Sequence, residues 1–124
     1  MIPGSKEDHA TFVKSFGFAI QGFRMALRGE RNIKVMLGVG ALAVVLGIVC
    51  GIDATGWGVI LLGCGIVLCA ELFNTAIETI VDLVSPEYHP LAGRAKDIAA
   101  AAVWVLSVFV ALAGIAVYLG ALLG

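Results

Sequence analysis

Charge is scarce in this chain. Asp, Glu, Lys and Arg make up 14% of its 124 residues, and 8 basic against 9 acidic side chains leave a net charge of −1. That balance points to no partner by itself, and no nucleic-acid partner is expected. Cysteine is also sparse: Cys50, Cys64 and Cys69 are odd in number, lie in apolar runs and lack metal-ligand spacing. This argues against a disulfide framework or a zinc site and leaves them as small packing residues. There is no GxxxxGK[ST], and no GxGxxG after a strand, so any nucleotide is handled without either cradle. A secretory leader is not expected, because the N-terminal segment mixes both charge signs and lacks a compact apolar stretch with a small-residue cleavage site. No repeat, linker or low-complexity segment interrupts what reads as one membrane-embedded domain, residues 1–124.

What the chain has instead is apolar length. Hydrophobic residues reach 60% and the mean hydropathy is +1.03, against roughly 45–50% apolar in a soluble domain. Residues 35–52, 54–70 and 98–124 carry no charge. About 20 helical residues cross a hydrocarbon core of ~30 Å, so each run qualifies once its flanks are counted. The expectation is an all-α membrane protein with spans at about 32–52, 57–84 and 95–122. Lys6, Lys14, Arg24, Arg28, Arg31 and Lys34 precede the first run, and Arg94 and Lys96 lie between the second and third. With all eight basic residues on one side, the positive-inside rule puts the N-terminus and the 85–95 loop in the cytosol and the C-terminus outside.

Residues 1–30 are expected to form a surface helix. Phe12, Val13, Phe16, Ile20, Phe23 and Leu27 share one arc at about 100° per residue, and Lys14, Gln21, Arg24 and Arg28 take the neighbouring arc. Such a helix lies on a leaflet with its basic side toward phosphates. Phe18 and Met25 fall off the stripe and face something else. In the first span, Gly47 and Gly51 form a small-xxx-small pair for close packing. Trp57 reads as an interfacial anchor and Asp53 as an outer-loop cap. Pro86 and Pro90 interrupt the segment SPEYHPLAGR, where Gly93 permits a turn. His9 reads as a tail residue, and Trp104 and Tyr118 as packing or interface residues.

The second span carries the unusual chemistry. On a helical wheel Glu71, Asn74, Glu78 and Asp82 share a single stripe, about 80° wide at roughly 100° per residue, on a helix otherwise apolar. A carboxylate at membrane depth costs ~2.5 kcal/mol or more, so it persists where it meets a partner or a wet cavity. Glu71 is 14 residues beyond Trp57, ~21 Å along the axis, and Glu78 reaches the headgroup boundary. Glu30, Arg94 and Lys96 approach the same interface. Carboxylates for a hard divalent cation, a lysine and an apolar wall suit phosphoryl transfer, in which magnesium takes one or two protein carboxylates plus phosphate oxygens. A further carboxylate can accept the proton of an attacking hydroxyl. A structural polar network closing a helix bundle is the plain alternative.

The stretch ELFNTAIETIVDLVSPEYHPLAGRAKDIAAAAV resembles the signature of the prokaryotic diacylglycerol kinase family, small integral-membrane lipid kinases that include undecaprenol kinases of Gram-positive bacteria. The pattern ExxNxAxE, then VD, EYH and GRAKD, carries the likeness, which extends from about Lys14 to the C-terminus. The resemblance implies a surface helix plus three spans, a homotrimer with shared active sites, and a bacterial cytoplasmic membrane. It implies Glu71 as the catalytic base and Glu30 and Glu78 as carboxylates holding Mg2+ for ATP. Phe18, Glu87, Tyr88, His89, Lys96 and Asp97 match ATP-contacting positions, Asn74 and Asp82 support the site, and Arg24, Asn32, Val35, Met36 and Ala100 fall on the lipid side.

Some members have arginine at Thr11 and tyrosine at Phe18, and the best-known diacylglycerol kinases have Gln–Glu at Val35 and Met36. The segment GERN at 29–32 looks more like the undecaprenol-kinase branch, and fewer polar groups near the headgroup favour undecaprenol as substrate, with diacylglycerol as the alternative. A proton- or ion-carrying subunit would use Glu71 but leave Glu78, Asp82 and the 85–95 loop idle. A small multidrug-type bundle usually lacks such a loop.

Overall fold

The computed structural model describes residues 11–124, which form four helices: α1 (Phe12–Gly29), α2 (Arg31–Cys50), α3 (Ala54–Val84) and α4 (Pro90–Leu123). The part of the expected surface helix at 1–10, with Lys6 and His9, lies outside the described residues. α1 starts where Thr11, in extended conformation, accepts a hydrogen bond from Lys14 N at 3.3 Å. It ends at Glu30, whose extended backbone (φ −119°, ψ 118°) is the single-residue joint to α2, with its N–H donating to Ala26 O at 2.9 Å.

The last three helices are long and apolar enough to cross a membrane, with mean hydropathy of 2.5, 2.0 and 2.5 in their most apolar windows. This is a multi-pass membrane protein. α3 and α4, of 31 and 34 residues, run to roughly 46 and 51 Å at 1.5 Å per residue, longer than a ~30 Å core. Their excess lies at the end where they meet, around residues 85–89.

Local chemistry moves several boundaries from those expected. α3 begins at Ala54 rather than 57, because Asp53 caps it, Oδ1 accepting from Gly56 N at 2.8 Å. α4 begins at Pro90 rather than near 95. Pro90 does not interrupt a helix but opens one, at the first turn where its missing N–H costs nothing. His89 caps it, Nδ1 accepting from Leu91 N at 3.1 Å. Gly93 therefore sits inside α4, its N–H bonded to His89 O, and makes no turn.

The expected Gly47–Gly51 packing pair is divided between two jobs. Gly51 ends α2 in the left-handed region (φ 65°), with Ile52 N returning to Gly47 O at 3.2 Å. Gly47 is buried, and a Cβ there would come within 2.9 Å of the Trp57 ring, so Trp57 packs on α2. α3 and α4 pack closely: a Cβ on Gly63 would lie 2.8 Å from Val110 Cγ1. Tyr118 joins α4 to α2, its hydroxyl donating to Ala43 O at 2.5 Å. The buried apolar side chains are few, Ile33, Ile52, Ile60, Ala99 and Val103. Most large hydrophobics, Trp104 among them, point outward, as suits a chain solvated by lipid.

Candidate active site

Two polar residues are buried on α3, and both belong to the stripe: Glu71 is 2% exposed and Asn74 6%. Glu78 is half-buried one turn on and accepts a hydrogen bond from Asn74 Nδ2 at 2.9 Å. That bond fixes the Asn74 amide, because a flip would set its carbonyl oxygen against a carboxylate. Asn74 Oδ1 is then left buried without a protein partner, as is Thr75 Oγ1 beside it. An orphaned buried acceptor costs ~1–3 kcal/mol.

The joint at Glu30 brings α1 and α2 to this face. Glu78 and Glu30 both act on the Glu71 carboxyl through their charge, and the side chains of Asn32 and Asn74 lie near it. Glu30, although it precedes α2, makes no side-chain capping bond, so its carboxylate is left to the cluster rather than spent on the helix end. From the corrected start at Ala54, Glu71 lies ~26 Å along α3, near the boundary of the hydrocarbon core.

Further along the same stripe, Asp82 is ion-paired to Lys96 Nζ at 2.5 Å, tying α3 to α4 beyond the core. Both side chains are substantially exposed, so the pair adds little to stability, and Lys96 stays reachable from water. Asp97 and Ala100 are exposed on the same part of α4. Glu87, Tyr88 and His89 lie in the exposed 85–89 connection, which the Ser85 hydroxyl braces by donating to Glu87 O at 2.8 Å. The structure does not bring these three together with Glu71. A hollow of about 450 Å³ beside His89, lined also by Ile80, Val84 and Ala92, adjoins them.

Phe18 is half-buried whereas Met25 is exposed, so only the first of the two off-stripe residues is turned inward. Arg24 is exposed on α1. Val35 and Met36, one turn past Asn32, line the upper end of an apolar groove between α2, α3 and α4. Sequence reasoning assigned Asn32 to the lipid side and passed over its place beside Glu71. It also overlooked Thr75, since a small hydroxyl on an apolar helix gives no periodic signal.

The oxygen-rich donor set fits magnesium by type. Among the described residues no three His, Cys, Asp or Glu groups converge as a ready cage, which suits an ion that arrives with phosphate oxygens and keeps several waters.

The family model described as prokaryotic diacylglycerol kinase matches residues 17–118. The chain is similar to the undecaprenol kinase of Bacillus subtilis (strain 168), 37% identical over 108 residues that cover 87% of this chain and 88% of that protein. It is similar also to the diacylglycerol kinase of Escherichia coli (strain K12), 34% identical over 93 residues, 75% of this chain and 76% of the relative. The diacylglycerol kinase of Helicobacter pylori (strain ATCC 700392 / 26695) is 30% identical over 101 residues, 82% of this chain and 79% of the relative. The matched span takes in Glu30, the whole polar stripe of α3 and Lys96, and the chain belongs to the prokaryotic diacylglycerol kinase family.

Proposed function

We propose that this chain, an ATP-dependent lipid kinase by family, transfers the γ-phosphoryl group of ATP to the hydroxyl of a membrane polyprenol of the undecaprenol type. The observation that carries the reading is the burial of Glu71 with Asn74 at the inner edge of an apolar helix, with Glu78 and Glu30 alongside. Glu71 accepts the proton of the lipid hydroxyl as its oxygen attacks. Asn74 holds Glu78 in place by donating from Nδ2 to its carboxylate. Glu30 and Glu78 would hold Mg2+, which when bound neutralises charge on the phosphates. Lys96 leaves Asp82 to meet a phosphate, and Glu87, Tyr88, His89, Asp97 and Phe18 contact the rest of ATP.

In this reading α1 lies on the cytosolic leaflet with Phe12, Phe16 and Ile20, all exposed, in lipid. The 85–95 loop is cytosolic, the C-terminus is outside, and the chain assembles as a homotrimer in the bacterial cytoplasmic membrane. Diacylglycerol is the second reading, favoured by the relatives named diacylglycerol kinase.

The test is label transfer from γ-labelled ATP with magnesium to undecaprenol or diacylglycerol in mixed micelles. Label is expected in undecaprenol, and Glu71→Gln is expected to lower the rate by about 10²–10⁴, the usual worth of a positioned base. Label remaining in ATP with both lipids defeats the kinase reading, and preferential label in diacylglycerol replaces the substrate.

A further inference from the structure

The groove between α2, α3 and α4 holds about 520 Å³ and is lined almost wholly by carbon. Along α2 it runs from Val35 to Leu46, ~16 Å at 1.5 Å per residue. Its upper end adjoins the polar cluster, since Leu68 precedes Glu71 by one turn of α3 and Val35 follows Asn32 by one turn of α2. At the other end Tyr118 closes it. Helical side chains lean toward their helix's N-terminus, so Tyr118 rises from α4 into the groove, and its hydroxyl bridges to Ala43 O on the facing wall. The other hydroxyl along the wall, Ser107, is turned back onto Val103 O at 2.8 Å and offers nothing to a polar occupant.

We infer that this groove seats the leading hydrocarbon of the lipid alcohol whose hydroxyl meets Glu71, and that Tyr118 is its stop, setting how much of the chain is gripped. The inference rests on the kinase reading for the identity of the alcohol. A helix of a second copy is the poorer occupant. The Tyr118–Ala43 bridge spans the groove and blocks the passage of a continuous helix. The volume instead lies within the ~300–1,000 Å³ typical of small-ligand pockets. Gly40 and Cys64 adjoin in the lining, a Cβ at residue 40 coming 3.6 Å from Cys64 Sγ. A longer side chain at residue 40 fills the groove.

Cys64 supplies a readout independent of turnover, because it lies in the groove whereas Cys69 is exposed outside it. The full chain in phosphatidylcholine vesicles, with and without undecaprenol, is alkylated with N-ethylmaleimide and each cysteine followed by mass spectrometry. With the polyprenol at ten times its dissociation constant, Cys64 labelling is expected to slow about tenfold by mass action, Cys69 labelling is expected to be unchanged, and Gly40→Leu is expected to lose the protection. Equal effects on both cysteines, or none on Cys64, overturn the inference even if label transfer proceeds. Protection of Cys64 without label transfer supports the groove and defeats the kinase reading.

The stop is tested by the lipid KM across a series of alcohols of increasing chain length. For the wild type and Tyr118→Phe it is expected to level off at the groove length, and for Tyr118→Ala to keep falling, with the KM for ATP unchanged. The same profile in all three overturns the role of Tyr118. Should Tyr118→Ala not fold, a wild-type KM that never levels off overturns it as well.

Discussion

Asn74 is the residue on which the cluster is organised. Its N–H fixes Glu78, its oxygen has no protein partner, and its burial shields the bond to Glu78 from competing water. Glu78 and Glu30 then differ from Glu71 in being less enclosed, which suits ions and phosphates arriving from the aqueous side. Replacing either Glu78 or Glu30 by alanine should raise the magnesium concentration for half-maximal rate by about tenfold or more, with a smaller change in lipid KM; magnesium titrations of the two variants check this, and unaltered curves reverse the assignment. At the opposite end of α3, Asp53→Ala removes the acceptor for Gly56 N and should lower stability by roughly 0.5–2 kcal/mol, read by denaturation in detergent.

The α3 stripe was legible because carboxylates and an amide stand out on an apolar helix and their spacing fixes a face at once. Asn32 and Thr75 were not, since what places them is the position of α2 against α3 rather than a period along either.

Between helices, the close approach at Gly63 argues that α3 and α4 move as one hairpin. Gly63→Ala puts a methyl 2.8 Å from Val110 Cγ1 and should destabilise by about 1–3 kcal/mol. Val110→Ala should relieve most of that cost, a coupling measured by a double-mutant cycle in detergent denaturation. The three apolar helices were readable from hydropathy alone. Their starts were less so, because a single cap decides them: Asp53 draws α3 back to Ala54, and His89 with Pro90 draws α4 back by about a turn. Gly51 looked like half of a packing pair on spacing, yet its positive φ gives it the helix end. The Tyr118 bridge to Ala43 joins residues 75 apart in the chain, and no local pattern announces a contact of that reach.

At the scale of the whole molecule little is buried: among the described residues five apolar side chains and two polar ones make up the interior, while Phe109, Leu112 and Leu122 face outward. Lipid or further copies of the chain cover that surface. Within one chain Glu30 nonetheless lies close enough to Glu71 for its charge to be felt there. Mixing Glu71→Gln chains with Glu30→Ala chains, assayed at a magnesium concentration where Glu30→Ala alone is slow, should therefore give no more label transfer than the two variants assayed separately, whereas a higher rate would show that Glu30 is donated by a neighbour. Any sharing of sites between subunits then falls to groups such as Lys96 or residues 87–89.

Glu30 is the whole of the connection between α1 and α2. A one-residue link has no slack, so any change in the slope of α1 swings this carboxylate. With α1 on the leaflet, as proposed above, bilayer thickness and curvature gain a mechanical lever on the acidic cluster.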